Sequence, residues 1–252
     1  VSAGTTTQGD NSVAVGVIAG NDTQGDNAVA VGNRSGQTTQ GAGAVAVGAS
    51  AGQTSQGIST VAIGQLSGNT GQLGFGTSVG YNAGNATQGI SATAIGFNSG
   101  ATSQGASSVA VGSNAGTDRQ GELSIAIGYQ AGLTLQGANS VTVGANAGQN
   151  TQGTSSVSIG NSAGQDSQGD NAVSVGFNAG QRSQAGGGIA VGRNAGRTAQ
   201  SSNATAIGKD AGRDSQGLNS IAIGNTAATT SQATSAIAIG PSAGTTGQGS
   251  SS

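Results

Sequence analysis

The sequence predicts an all-β fold, a parallel β-solenoid (β-roll) in which each coil is one sixteen-residue repeat. Three observations carry this prediction. The repeat runs through fifteen full units, residues 11–250, without insertion or deletion. Glycines recur at fixed positions, and β-branched residues alternate with small ones. A two-helix repeat needs about thirty residues, so this period suits one coil per repeat and about 15–16 coils in all.

The unbroken period predicts a single β-solenoid rod over residues 1–252, with partial coils at 1–10 and 251–252. Neither end departs from the repeat, whereas solenoids usually carry polar caps that stop further stacking. We therefore expect the exposed ends to be covered by the same repeat in a neighbouring subunit.

Glycine marks the corners of each predicted coil. When positions are numbered 1 to 16 from Asn11, position 6 is Gly in every unit, and position 10 is Gly in all units except at Ala228. Position 15 is Gly in most units. Glycine permits positive φ and close backbone approach, so these positions predict tight turns.

The first strand is predicted at positions 2–5. Position 5 is always Val or Ile, position 3 is Val or Ile except at Thr77, Thr93 and Thr205, and position 4 is Ala, Ser or Thr. This alternation indicates that positions 3 and 5 face inward. All sixteen charged residues lie at positions 7, 8, 11, 12, 13 or 16, so the charge-free positions are expected to form core and corners. The polar positions 11–14 predict a second strand.

Position 14 is Gln in every full unit, and two roles are open for this Gln column. A stacked amide ladder, with each side chain bonded to the next along the axis, is preferred over a ligand-binding row of amides. Strand alternation would turn the column outward with position 12 unless a bulge near position 13 redirects it. The predicted ladder consists of Gln24, Gln40, Gln56, Gln72, Gln88, Gln104, Gln120, Gln136, Gln152, Gln168, Gln184, Gln200, Gln216, Gln232 and Gln248.

Four aromatic residues share position 7, namely Tyr81, Phe97, Tyr129 and Phe177. Arg193 occurs at the same position, so we predict an exposed aromatic column.

Composition argues against most binding and catalytic classes. The chain has no His or Cys, so catalysis would fall to Asp, Glu, Lys or an activated Ser, and we expect no enzyme activity, catalytic site or cofactor. Acidic pairs such as Asp22 and Asp26 could bind calcium between adjacent coils, because carboxylate oxygens suit that ion. We prefer the alternative that these residues are solvated at the corners of the coil, and we predict no metal site. A formal net charge of −2 offers no footprint for nucleic acid. No apolar run is long enough for membrane insertion.

The motifs NSVAVG, LSIAIG and NSIAIG, followed by xxAG, carry a family resemblance. They include Ser108–Gly112, Ser124–Gly128 and Ser220–Gly224, and they resemble the head repeats of YadA-like trimeric autotransporter adhesins. The segment Ala126–Gly132 is similar to AIG repeats in fibre proteins of phages and large viruses. The resemblance implies a left-handed parallel β-roll, often trimeric, on a cell or virion surface.

Together these observations predict a non-enzymatic structural protein that forms an extracellular or surface fibre by end-to-end stacking, with an adhesive role. The expected partner is the chain itself, head-to-tail or as a trimer, with a host-surface molecule or glycan as ligand. One alternative is the receptor-binding or shaft segment of a phage or virus tail fibre, or a trimeric adhesin head. Another is an ice-binding solenoid, because Thr38, Thr54 and Thr70 begin a threonine row at position 12, which Asp and Arg interrupt.

Overall fold

A computed structural model describes residues 2–249 and shows the predicted all-β solenoid, with parallel strands and about fifteen stacked coils. No helix occurs among these residues. The chain forms two compact units, one up to Ser124 and one from Ile125, and the same repeat builds both. The single rod over 1–252 stays a prediction, and the predicted partial coil at 251–252 lies outside the described residues.

Most coils contribute two short strands, and in the coils of Gln40 and Gln56 isolated bridges replace the second strand. The strands of the N-terminal unit are β1 (Thr7–Gln8), β2 (Val13–Val15), β3 (Thr23–Gln24), β4 (Val29–Val31), β5 (Val45–Val47), β6 (Val61–Ile63), β7 (Thr70–Gln72), β8 (Thr77–Val79), β9 (Ala86–Gln88), β10 (Thr93–Ile95), β11 (Thr102–Gln104), β12 (Val109–Val111) and β13 (Asp118–Gln120).

The C-terminal unit repeats the same pattern of paired strands. They are β14 (Ile125–Ile127), β15 (Thr134–Gln136), β16 (Val141–Val143), β17 (Asn150–Gln152), β18 (Val157–Ile159), β19 (Asp166–Gln168), β20 (Val173–Val175), β21 (Arg182–Gln184), β22 (Ile189–Val191), β23 (Thr198–Gln200), β24 (Thr205–Ile207), β25 (Asp214–Gln216), β26 (Ile221–Ile223), β27 (Thr230–Gln232), β28 (Ile237–Ile239) and β29 (Thr246–Gln248).

Equivalent strands of successive coils pair in parallel with a shift of one repeat. Val141 lies beside Val157 and Val143 beside Ile159 in the first-strand sheet. In the second-strand sheet Gln152 lies beside Gln168. Every side chain therefore stacks on the residue at the same position of the next coil, which turns each repeat position into a column.

The predicted orientation of the first strand is wrong. Position 4 faces inward and positions 3 and 5 face outward: Ser158 is 0% exposed, whereas Ile159 beside it is 40% exposed. The core consists mainly of Ala and Ser at positions 2, 4 and 9, with buried Thr60 and Thr142, glycine at position 10 and the Gln column. The long Gln side chains occupy the interior opposite the first strand, so only small residues fit there and the Val and Ile side chains are turned out.

The Gln column faces inward because the backbone reverses its alternation at position 13. Ser167 has a φ of +57°, in the left-handed region, and equivalent residues of most other coils share this conformation. Asp166 consequently points outward, while Gln168 is only 2% exposed. The left-handed residue at position 13 turns the following side chain inward, as a β-bulge at that position would.

The glycine at position 6 is required at the corner that follows the first strand. Gly144 has a φ of +128°, which L side chains rarely adopt, and an added Cβ would lie 2.7 Å from the carbonyl oxygen of Gly160 in the next coil. Successive corners stack too closely for any side chain, which explains why no unit departs from glycine at this position.

Candidate functional site: an apolar face between two charged edges

The outward residues at positions 3 and 5 form what we call the apolar face. They are Val or Ile except at Thr77, Thr93 and Thr205, and none is charged. They are all partly or largely exposed, as with Ile95 and Ile127 at 40% each. Each unit of the chain therefore presents stacked β-branched side chains to its surroundings. In most sheets with one solvated face, the outward-facing residues are polar instead.

Other exposed hydrophobic residues border this face instead of being scattered. They lie at positions 16 and 1 on one side of the first strand and at position 7 on the other. Among the large hydrophobic side chains exposed in residues 2–249, only Leu73 and Leu135 lie outside these positions and the face itself. The bordering residues are Ile58, Phe75, Ile90, Leu123 and Leu218 on one side, and Val17, Tyr81, Phe97, Tyr129 and Phe177 on the other.

The four aromatic residues at position 7 are exposed, and two of them are brought together. The rings of Tyr81 and Phe97, in adjacent coils, stack with centroids 5.4 Å apart and planes 12° apart. Tyr129 and Phe177 make no such ring contact within the described part of the chain. Because Tyr81 and Phe97 cover part of each other's faces, this pair is better suited to widening the apolar face than to stacking on a sugar ring.

The charged residues at position 16 and at position 7, on the two sides of the apolar face, have opposite signs. Every charged residue at position 16 is acidic, namely Asp10, Asp26, Glu122 and Asp170, and both charged residues at position 7 are basic, Arg193 and Lys209. All six are exposed. The corners at positions 15–2 and 6–10 lie on opposite sides of the first strand, so these two charged columns border different edges. The 6–10 corner also holds Arg34 and Asp210 at position 8, and it therefore carries both signs.

Some of these edge groups also have local partners. The Asp170 carboxylate accepts a hydrogen bond of 2.8 Å from the backbone N–H of Thr154. Asp210, at position 8, lies 4.0 Å from the Arg193 guanidinium and 3.8 Å from the Lys209 ammonium. One carboxylate between two cations leaves this part of the position-7 edge positive.

The opposite side of the coil, formed by positions 11–13 and called here the polar face, is linked by hydrogen bonds along the axis. The Thr198 hydroxyl donates to Asp214 at 2.9 Å, and the Thr230 hydroxyl donates to the Thr245 carbonyl at 2.9 Å. Burial alone would raise the pKa of Asp214, but hydrogen bonds from Arg213 and Thr198, with the charges of Arg213 and Arg197, hold that pKa below its usual value. Ice binding by the threonine row at position 12 stays a prediction.

The Gln column is bound to the backbone in every coil. Each side chain from Gln24 to Gln248 donates to the carbonyl of the position-3 residue eleven residues earlier, at 2.7–3.3 Å. Hydrogen bonds between successive Gln side chains occur in part of the column, for example from Gln168 to Gln184 at 3.1 Å. The Oε1 atoms of Gln40 and Gln152 are buried without a partner among the described residues. The Gln column therefore links the second strand of each coil to the first strand through side-chain hydrogen bonds.

Residues 2–249 offer little for small-molecule chemistry. They contain no pocket and no group of three or more acidic residues that could hold a metal ion. These residues include no helix that is long and apolar enough to cross a bilayer. The surface of the coils is thus the place where a function must be sought.

Sequence reasoning missed the apolar face, although its signal was present. The absence of charge at positions 3 and 5 predicts burial, which the structure contradicts. The better signal was the small size of every residue at positions 2, 4 and 9, which leaves no interior volume for two further β-branched side chains. A column that is outward and yet never charged marks a candidate contact surface.

Comparison with protein-family models and with curated proteins finds no match for this chain. The likeness to adhesin-head repeats therefore stays a resemblance of sequence motifs. A functional assignment depends on the surface of the coils themselves.

Proposed function

We propose that this chain is a non-enzymatic structural protein that assembles with copies of itself into a fibre on a cell or virion surface. The observation that carries the proposal is the apolar face, uncharged at every outward position of the first strand. Copies of the chain would cover one another's Val and Ile columns. The surface location rests on the resemblance to adhesin and viral fibre repeats.

The face of each unit is large enough for a specific contact. Seven coils spaced about 4.8 Å apart and a strand width of about 13 Å correspond to roughly 440 Å² per unit. One unit lying against a unit of another copy would bury roughly 900 Å² in total, the size of a weak specific interface. Apolar patches on monomeric proteins rarely exceed a few hundred Å².

A second copy also suits the face chemically. Identical β-branched columns repeat at the same spacing in every copy, so one face matches another without a change of shape. Burial of apolar surface stabilises association by about 25 cal/mol per Å² before the cost of ordering. End-to-end stacking of coils, which would extend such an assembly into a fibre, stays a prediction, as do an adhesive role and a glycan ligand.

The proposal is tested by charging one face and then the other. Val157→Lys with Ile159→Lys places two charges on the apolar face, and Ser167→Lys with Ser183→Lys places two charges on the polar face, where Arg119 already occupies the same position. We expect the first variant to weaken self-association at least a hundredfold and the second to leave it within about threefold, because only the first buries charge in the contact.

Mass measured by sedimentation across a dilution series is the readout, with electron microscopy to distinguish filaments from discrete rods. Circular dichroism checks that both variants fold. A wild-type chain that stays monomeric at high concentration would remove the basis of the proposal, as would equal weakening by both variants. Discrete trimers would favour the adhesin-head or tail-fibre alternative over a continuous filament.

A further inference from the structure

Basic residues are concentrated in three successive coils of the C-terminal unit. Five of the chain's seven basic residues lie there, and we call them the basic cluster: Arg182, Arg193, Arg197, Lys209 and Arg213. Residues 182–214 contain two acidic residues and have a net charge of +3, whereas the rest of the chain, with two basic and seven acidic residues, has a net charge of −5. We propose that the basic cluster binds an acidic polysaccharide, whose sugars carry sulfate or carboxylate groups.

This site goes beyond the proposed self-assembly and uses other residues. Self-association would cover the Val and Ile columns at positions 3 and 5. The basic cluster lies at position 7 of the corner and at positions 11 and 12 of the polar face. One copy of the C-terminal unit contains the whole cluster, so binding needs no second copy.

Positions 7, 8 and 11 of neighbouring coils form one continuous surface at the corner. The Gln149 amide at position 11 donates a hydrogen bond of 2.9 Å to the Gln130 side chain at position 8 of the preceding coil. The Arg193 guanidinium at position 7 lies 4.0 Å from the Asp210 carboxylate at position 8 of the next coil. Successive coils are about 4.8 Å apart, less than the Debye length of about 8 Å, so cations on neighbouring coils act together on one ligand.

The Asp210 carboxylate is more deeply placed than the two cations around it. Its side chain is 13% exposed, against 57% for Arg193 and 52% for Lys209. It accepts a hydrogen bond of 2.8 Å from the Asn194 amide. Arg193 and Lys209 lie 4.0 and 3.8 Å from it, beyond hydrogen-bond distance, so their N–H donors remain accessible to a ligand.

The Asp214 carboxylate is engaged more fully. It accepts hydrogen bonds of 2.8 Å from Arg213 and 2.9 Å from Thr198, and Arg197 lies 3.7 Å away. Arg182 is exposed and forms no ion pair within residues 2–249. Two carboxylates therefore offset two of the five cations, and the remaining positive charge faces the solvent.

The coil itself does not need these charges. The coil of residues 139–154 forms both strands, β16 and β17, without a charged residue. Gln65 stands at position 7, where Arg193 and Lys209 occur, and Gln181 stands at position 11, where Arg197 occurs. Because the fold is built equally well without them, the concentration of cations in three coils points to a ligand.

Neutral groups beside the cations suit a sugar. Phe177, next to Arg193 in the position-7 column, exposes a ring that can lie against the C–H face of a sugar. Asn178 and Asn194 at position 8 each donate one amide hydrogen along the column, at 3.3 and 2.8 Å. Each amide has a second N–H, which suits a sugar hydroxyl.

Charge density favours a polysaccharide over a nucleic acid. Duplex DNA carries one charge per about 1.7 Å of its axis, so three coils, about 14 Å long, would face about eight phosphates. A net charge of +3 does not match them, and Asp166 and Asp170 lie in the preceding coil. An acidic polysaccharide carries its charges further apart and fits the cluster better.

Removal of charge from the cluster is compared with an equal removal elsewhere. Arg193→Gln with Lys209→Gln takes two positive charges from the cluster, and Arg34→Gln with Arg119→Ser takes two from the N-terminal unit. Binding of a short heparin oligosaccharide to the full chain is measured by titration calorimetry at low salt. The dissociation constant should rise about tenfold or more in the first variant and less than about twofold in the second, because electrostatic affinity depends on the cations that contact the polyanion. Circular dichroism checks that both variants fold.

Asp210→Asn provides a test in the opposite direction. It removes the carboxylate between Arg193 and Lys209, and Asn194 shows that position 8 accommodates asparagine. Heparin binding should become about threefold to fivefold tighter. A cluster with only a structural role would not gain affinity from this change.

The outcomes separate this site from the proposed self-assembly. Selective weakening by the cluster variant, with tighter binding by Asp210→Asn, supports the site. Absence of heparin binding, or equal weakening by the two double variants, overturns it. Tighter binding of single-stranded DNA or of phosphatidylserine vesicles than of heparin overturns the polysaccharide as ligand. Sedimentation of the unliganded chain tests self-assembly independently, so failure of either proposal leaves the other standing.

Discussion

Strands β18 and β19 belong to one coil, yet they place their side chains in opposite ways. β18 buries Ser158, leaves Val157 partly exposed and exposes Ile159, whereas β19 buries Gln168 and leaves Asp166 partly exposed. Neither strand follows the usual rule of apolar residues inside and polar residues outside. Charges occur in the outward columns of the second strand and never in those of the first.

The difference shows that this interior depends on steric fit and hydrogen bonding more than on large apolar volume. The Gln168 amide donates to the Val157 carbonyl at 3.0 Å and accepts a hydrogen bond of 2.6 Å from the Ser158 hydroxyl. A small residue on one strand thus matches a long one on the other. The β-branched side chains, excluded from this narrow interior, are available for contact with another molecule.

The corner between the two strands is the most sensitive place to test this comparison. Gly144→Ala should lower the free energy of unfolding by about 3 kcal/mol or more, because of its φ and its contact with Gly160. Gly74→Ala, at position 16 where Ala42 and Ala138 already stand, should cost less than about 1 kcal/mol. Urea unfolding followed by circular dichroism measures both, and similar losses would contradict the described corner.

The next largest effect is expected inside the second strand. Gln168→Ala removes the donor to the carbonyls of Val157 and Ala172 and leaves a cavity, so stability should fall by about 2–4 kcal/mol. Gln165→Ala, at position 11 of the same coil, removes an exposed-side amide bonded to Gln149 and should cost about 1 kcal/mol or less. Chemical denaturation measures the free energy of unfolding of both variants. A loss for Gln165→Ala as large as that for Gln168→Ala would contradict the larger contribution of the buried amide.

A smaller effect of opposite sign is expected at position 8. Ile18 has a φ of +59°, which is unfavourable for a β-branched residue, whereas Asn146 adopts +56° at the same position. Ile18→Asn should therefore stabilise the chain by about 0.5–1 kcal/mol, and Asn146→Ile should destabilise it by a similar amount. Thermal unfolding of the reciprocal pair is the measurement, and changes of equal sign would show that backbone conformation is not the cause.

The smallest effect concerns the ion pairs of the polar face. Because the pKa of Asp214 is lowered from its ordinary value of 3.8, its contribution is present above that value and is lost as the pH falls through the folded-state pKa. The group is partly solvated, so the loss should stay under about 1 kcal/mol. Asp214→Asn should remove that component when unfolding is measured between neutral and strongly acidic pH. An unchanged pH profile would rule out the contribution.

Much of the fold could be predicted from the repeat, but the candidate site could not. The period of sixteen residues, the invariant glycine represented by Gly144 and the charge-free core positions led to the solenoid and its coil length. The orientation of Val157 and Ile159 was predicted wrongly because alternation in a strand identifies two faces without identifying which is inside. The direction of Gln168 depended on one left-handed residue, Ser167, and such a residue need not be glycine.

The sequence by itself determined the architecture, because a strict period forces each residue to stack on its equivalent and so repeats one local solution along the chain. It also determined where charge is tolerated. Only the tertiary structure decided which side of the first strand is interior, because that choice depends on the space remaining after Gln168 and its equivalents cross the coil. That space admits only small residues, mostly alanine and serine with threonine at Thr60 and Thr142, and the uncharged Val and Ile columns become a surface.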